Sequence, residues 1–241
     1  MAHSLFPVKI IITCEHGGNH VPAAYTHLFS GCKKILNTHQ GYDKGAFYVA
    51  KTLAKITADY FLFAKTSQLL VDLNRSVHHP KLFSNITKPC NPLIKKEIID
   101  RYYLPYRTNI CDTISAYLSQ GYRVLHLSVH SFTPNFCGKI RRNDLGLLYH
   151  PQHKMEKKFC NSWKETLLTA GFNQVRLNYP YLGRADGFTQ YLRSHFSQKK
   201  YYGIELETNQ KLWTSERDKK ELTTLIVQAF KQTIEINFQQ R

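Results

Sequence analysis

Several things are missing from this sequence, and each absence narrows what the chain can be. The six cysteines, Cys14, Cys32, Cys90, Cys111, Cys137 and Cys160, never fall in a CxxC spacing and form no dense framework. That argues against a zinc-knuckle or disulfide-stapled scaffold and for free thiols. No apolar run reaches the ~18 residues of a membrane span. The opening Met1–Lys9 lacks a basic stretch followed by a long apolar one, so a soluble cytoplasmic protein without membrane partners is expected. There is no internal repeat, low-complexity tract or linker, and the 241 residues are read as a single domain, 1–241.

Acidic residues are also scarce, 17 against 33 Lys and Arg, for a formal charge of +16. Such an excess raises the prospect of nucleic acid. The basic residues, however, are scattered as doublets, Lys33-Lys34, Lys95-Lys96, Arg141-Arg142, Lys157-Lys158, Lys199-Lys200 and Lys219-Lys220, and no aromatic-and-basic motif of recognised spacing accompanies them. They are read as solvated surface, with a field that would also draw a small anionic substrate.

What is present is an alternation of strand and helix patterns. Val8–Thr13, Phe61–Ala64, Leu69–Asp72, Val124–Val129, Leu145–Tyr149, Gln174–Leu177 and Tyr202–Leu206 read as strands. Lys44–Ala58, Lys95–Leu118 with an interruption before Pro105, and His153–Thr169 read as helices. A last amphipathic helix carries Leu222, Leu225, Ile226, Ala229, Phe230 and Ile234 at helical spacing. This order predicts an α/β three-layer sandwich with a mixed, largely parallel central sheet.

Chemistry-bearing residues gather at strand ends, where parallel sheets place their ligands. Ile10-Ile11-Ile12-Thr13 runs into Glu15-His16-Gly17-Gly18-Asn19-His20, and Val124–Val129 runs into His130-Ser131. Two histidines from separate strands suggest one metal ion. His20 is the weaker partner, because Gly17 and Gly18 oppose the helix that a His-x-x-x-His pair needs. Asp43, just before the first long helix, is either a carboxylate ligand or an N-cap. Two histidines and a carboxylate suit zinc better than calcium or magnesium. Glu205 and Glu207 alternate along one strand and share a face, so either is a candidate general base unless both belong to an exposed edge. Arg75, in Asp72-Leu73-Asn74-Arg75-Ser76, is suited to hold a substrate carboxylate bidentately.

Taken together, Thr13-Cys14-Glu15-His16-Gly17-Gly18-Asn19-His20-Val21-Pro22, Gly41-Tyr42-Asp43-Lys44-Gly45-Ala46, Asp72-Leu73-Asn74-Arg75-Ser76, His130-Ser131-Phe132-Thr133-Pro134 and Glu207-Thr208-Asn209-Gln210 resemble, in order and across nearly the whole chain, the N-formylglutamate amidohydrolase family. That family is more distantly similar to zinc carboxypeptidases and aspartoacylases. The resemblance implies a zinc-exopeptidase-like fold and hydrolysis of the amide of a small anionic N-acyl amino acid such as N-formylglutamate, using one zinc ion. It implies His16 and His130 as metal ligands, Glu207 as general base, and Asn74 and Arg75 as the pair that grips substrate, with Arg75 also near the oxyanion. The carboxypeptidase pattern has a glutamate three residues after its first histidine, whereas this chain has Asn19. Asp43 is the expected replacement, with Asn19 or water as alternatives. Tyr179–Phe188 resembles the family's substrate loop and adds Arg184 to the substrate-binding candidates. Two other classes stay open: a catalytically silent member that binds a ligand, and a basic nucleic-acid-binding protein.

Overall fold

In the computed structural model, which describes residues 7–238, six strands form one sheet. They are β1 (Val8–Cys14), β2 (Tyr60–Phe63), β3 (Arg123–Phe132), β6 (Leu145–Leu148), β7 (Val175–Leu177) and β8 (Tyr201–Asn209), in the order β2-β1-β3-β8-β6-β7. The first four in that order run parallel; β6 meets β8 antiparallel, and β7 runs parallel to β6. A two-stranded hairpin, β4 (Asn135–Phe136) with β5 (Lys139–Ile140), stands apart. The expected mixed, largely parallel sheet is what forms. Met1–Phe6, most of the stretch searched for a targeting signal, lies outside the described residues.

Strand alternation gives the sheet two different faces. Ile10 and Ile12 of β1, Leu125, Leu127 and Val129 of β3, and Tyr202, Ile204 and Leu206 of β8 share an apolar layer with α2 (Ala46–Thr57), α5 (Lys154–Thr169) and α7 (Glu216–Phe238). Trp163, Phe159 and Phe230 fill its centre. The opposite face begins apolar, with Ile11, Val124 and Tyr201 packed under α4 (Leu104–Ser119) and α6 (Phe188–His195). Toward the carboxyl ends that face turns polar while staying buried: Thr13 and Glu15 of the first strand and its exit, His126, Ser128 and His130 of β3, and Glu205 and Glu207 of β8. The β3–β8 register sets Ser128 beside Glu205 and His130 beside Glu207.

The long helix expected over Lys95–Leu118 runs from α3 (Pro92–Ile98) through a π-turn at Ile99–Tyr103 into α4. Pro105 has no N–H for the carbonyl four residues back, and Leu104 donates to Ile99, five residues away. Residues Leu69–Asp72, read as a strand, are a turn and extended loop instead. Their apolar side chains are buried as a strand's would be, but their carbonyls bond to side chains: Ser84 Oγ donates to Leu69 O at 2.6 Å and Thr87 Oγ1 to Leu70 O at 3.1 Å. Buried hydrophobicity alone does not distinguish such a loop from a strand. Strand β8 lies between β3 and β6, so its carboxylates are not on an exposed edge. The short α1 (Lys33–Leu36), α6 and the hairpin had no clear sequence signal.

Candidate active site and metal centre

The polar carboxyl end of the sheet forms the floor of a cavity of about 220 Å³. Its walls include His16, Asp43, Asn74, Arg75, His130, Glu205 and Glu207. That volume is below the ~300–1,000 Å³ usual for drug-sized ligands and suits something of amino-acid size.

His16 leaves β1 on a tight path that Gly18 permits, since a Cβ there would sit 2.3 Å from the Lys65 carbonyl oxygen. Asp43 arrives from the loop before α2 and is anchored by its own N–H on His16 O at 2.9 Å. It is not the helix cap. Gly45 holds that position at φ +87°, and no side chain caps the helix. Asp43 Oδ2 instead lies 2.9 Å from His130 Nδ1 and 3.4 Å from His16 Nδ1, and accepts from Ser131 N at 3.2 Å. One ligand atom from each of His16, Asp43 and His130 lies within 4.8 Å of the other two.

The outer nitrogens decide how these rings are protonated. His16 Nε2 is 2.7 Å from Asp72 Oδ1, and His130 Nε2 is 3.2 Å from Glu15 Oε2 and 2.9 Å from Ser128 Oγ. Ser128 Oγ itself donates to Glu15 Oε2 at 2.5 Å, so it accepts from the histidine. Acceptors outside each ring assign a proton to Nε2 and leave a lone pair on each Nδ1 facing the Asp43 carboxylate. A proton or a cation must lie between them. Inward Nδ1 atoms and outward Nε2–H groups held by carboxylates are how metal-ligating histidines are oriented. Glu207 Oε2, buried with no hydrogen-bond partner, is a further polar atom left open at the site. The donor set of two imidazoles and a carboxylate fits zinc with an open position.

The charges are strongly coupled. Burial disfavours the ionised forms of Glu15, Asp43 and Asp72, yet the neighbouring histidines outweigh it and hold all three carboxyls below their ordinary range. Burial likewise opposes the imidazolium of His16, but Asp72 and Asp43 raise it to about 10, while Asp43 and Glu15 hold His130 well above its usual value. Glu207 goes the other way: burial, opposed by His130 and helped by Asp43 and Glu205, pushes it up to about 8. A carboxyl that titrates near neutrality is suited to proton transfer. Glu205 Oε1 accepts from the Thr189 hydroxyl and is already engaged.

Asn74 and Arg75 come from a turn closed by Asp72, whose Oδ1 accepts from Asn74 N at 2.9 Å. The turn is clamped from above, since Arg107 Nη1 donates to Leu73 O at 3.0 Å and Tyr103 to Arg75 O at 2.8 Å. Asn74 Nδ2 lies 3.3 Å from His130 Nε2, and Asn74 Oδ1 accepts from Phe188 N at 2.7 Å. Arg75 Nη1 donates to Asp186 O, and Nε lies 3.5 Å from Asp72 Oδ2. Arg184 is exposed and does not line the cavity, although Tyr181, Leu182, Ala185 and Asp186 of its loop do. Asn19 is turned away and donates to Leu36 O and Asn37 Oδ1; His20 is likewise outside the cluster.

Sequence reasoning gave no role to Glu15, Ser128, Asp72 or Tyr106, whose hydroxyl donates to Glu15 Oε1 at 3.0 Å. Alternation offered a signal for two of them, because Glu15 follows Thr13 on one face of the first strand and Ser128 precedes His130 on one face of the third. Arg141, read as half of a surface doublet, is buried.

The family model for N-formylglutamate amidohydrolase matches residues 8–214. No curated protein matches the chain. Among solved structures, a gene product of Agrobacterium tumefaciens, Atu2144, is similar at TM-score 0.81 and 21% identity, covering 95% of this chain and 91% of that one. The N-formylglutamate amidohydrolase of Ralstonia eutropha JMP134 is similar at TM-score 0.68 and 16% identity, covering 95% and 94%. At those identities the structures speak for the fold, and the family model speaks for the lineage. With its match spanning nearly all of the described residues, the chain belongs to the N-formylglutamate amidohydrolase family and is a hydrolase acting on amides.

Proposed function

We propose that the chain, acting as one domain, hydrolyses the amide bond of a small anionic N-acyl amino acid at a single zinc ion held by His16, Asp43 and His130. The observation that carries this reading is the pair of inward-facing Nδ1 atoms about the Asp43 carboxylate, each with its Nε2 braced by a second carboxylate. When bound, the ion would supply Lewis acidity, polarising the acyl carbonyl and making water a competent nucleophile at neutral pH.

Asp72 and Glu15 fix the tautomer and direction of the two ligand rings, and Tyr106 and Ser128 hold Glu15 in turn. Glu207 takes the proton from the attacking water and returns it to the departing nitrogen. Its free Oε2 and its elevated pKa both support that assignment over Glu205. Arg75, tethered through Nε and Nη1, has its remaining edge for the substrate carboxylate, and Asn74 lines the same wall. N-formylglutamate, the compound in the family's name, is the first substrate to try.

The test is Glu207→Gln beside Glu205→Gln. Glu207→Gln keeps its zinc and loses turnover on N-formylglutamate by about 100-fold or more, since the amide accepts no proton from water. Glu205→Gln loses less. Formate release and metal content read the two quantities separately, and the reverse ranking would assign the base to Glu205.

A further inference from the structure

Arg141 is a buried guanidinium with no carboxylate of its own. Only 8% of the residue is exposed, and among the described residues it forms no ion pair. Of the other buried arginines, Arg193 Nε lies 3.0 and 3.2 Å from the two Glu156 oxygens. Arg107 also has no carboxylate and leaves Nη2 without a partner, but it donates to the Leu73 and Arg75 carbonyls and packs against Tyr103, Phe188 and Tyr191, rings that do not line the cavity. Even the half-exposed Arg75 has Asp72. A largely buried cation left without an anion is costly, and an anionic ligand that reaches its free donors would offset that cost.

The surroundings of Arg141 are themselves residues of the cavity wall. Its guanidinium carbon lies 4.6 Å from the ring centre of Phe136, 5.1 Å from that of Tyr181 and 5.9 Å from that of Phe132. All three rings line the catalytic cavity. Among the described residues its one side-chain hydrogen bond runs from Nη1 to Tyr181 Oη at a long 3.3 Å, which leaves most of its five donors without a protein partner there. The main chain is held firmly: Arg141 N donates to Pro134 O at 2.8 Å, and Arg141 O accepts from Asn209 Nδ2 at 2.9 Å. Asn209 ends β8 two residues beyond Glu207, so the guanidinium is indexed to the proposed base by the strand that carries it.

We infer that Arg141 is the specificity-determining residue that receives a second carboxylate of the substrate, the one on its side chain, while Arg75 takes the α-carboxylate. This rests on the reading of the cavity as an N-acyl amino acid site. The aromatic rings hold the guanidinium plane and exclude water, and the fork pairs with a carboxylate through two parallel hydrogen bonds that a side-chain amide cannot match. Acidic side chains are therefore preferred over their uncharged isosteres.

The experiment uses the full chain, zinc-loaded, carrying Glu207→Gln to prevent turnover. Calorimetric titration compares N-formyl-L-glutamate with N-formyl-L-glutamine, which differ only in carboxylate against amide. With Arg141 intact the glutamate compound binds tighter by about 10- to 100-fold, the range of a charge-assisted hydrogen bond. Arg141→Met abolishes the difference, and Arg141→Lys, which keeps the charge without the fork and spares the fold if Met does not, reduces it. Equal binding of the two compounds by the Arg141 protein, no binding of either, or a preference that survives both substitutions overturns the inference. If the preference is present but the protein with Glu207 restored hydrolyses neither compound, the proposed activity fails and the role of Arg141 stands.

Discussion

Loading the metal-stripped protein with zinc is expected to expel two protons per ion at pH 6. Asp72 and Asp43 hold a proton on His16 up to about pH 10, and Asp43 and Glu15 hold one on His130 well above the usual imidazole range, in both cases against burial. A ligating imidazole must be neutral at the coordinating nitrogen, so both protons leave as the ion enters. The carboxylates add none, because Asp43, Asp72 and Glu15 are all held below their ordinary values and are ionised at pH 6. Raised pKa values make low pH oppose loading: below both histidine values, apparent affinity rises with the square of falling proton concentration, about 100-fold per pH unit. Glu207, raised to about 8 by burial, is a third source of protons, and a Glu207→Gln background removes it. Working at pH 6 also stays below the value near 7 at which water on a catalytic zinc ionises. Calorimetry in two buffers of different ionisation enthalpy counts the protons, and a competition series from pH 5.5 to 6.5 gives the slope. Asp72→Asn, which removes the stronger of the two negative charges that hold the proton on His16, lowers the count toward one. A count of zero with a flat slope would refute the argument, because the histidines would then be neutral in the empty site.

The two ligand histidines are expected to differ in what their loss does to the fold. His16→Ala and His130→Ala both abolish tight zinc binding, but His130→Ala also strands Glu15, whose side chain is fully buried, at a cost of about 3–5 kcal/mol. Thermal melts of the metal-free variants check this, and equal melting temperatures would mean that Glu15 is not sustained by His130. Arg75→Lys is expected to lower kcat/KM strongly on a free N-acyl amino acid and only slightly on the same compound with its α-carboxylate amidated, since an ammonium cannot reproduce a guanidinium fork. Equal losses on the two would assign Arg75 to the oxyanion or to its loop.

The layered sheet was legible because period-2 and period-3.6 patterns are local and survive without knowledge of partners. Leu222, Ile226, Phe230 and Ile234 need only one helix to be read, and they do face the common core. The site was legible where a residue stands at a strand end: His16, His130 and Glu207 come together at one cavity, and Asp43 joins them from the loop before α2. It was not legible where the partner comes from far along the chain. Tyr106 reaches Glu15 across 91 residues, and Arg107 reaches Leu73 across 34, with no spacing rule joining them. Arg141 was misread because a charged doublet carries no mark of which member is buried. Leu69–Asp72 was misread because hydroxyls of Ser84 and Thr87 took the place of a neighbouring strand.

The two-faced sheet has a consequence for how this protein can change. Strand alternation acts as a partition: Trp163, Ile226 and Phe230 press on one side of β3 and β8, while His130 and Glu207 project from the other, and the two sets share only backbone. Residues without common partners contribute nearly additively. The α5–α7 layer can therefore drift, or be repacked for robustness, with little penalty in chemistry, whereas the opposite layer has no such latitude. There the groups that carry the reaction are also the groups that neutralise one another, and each substitution must be answered by its neighbour.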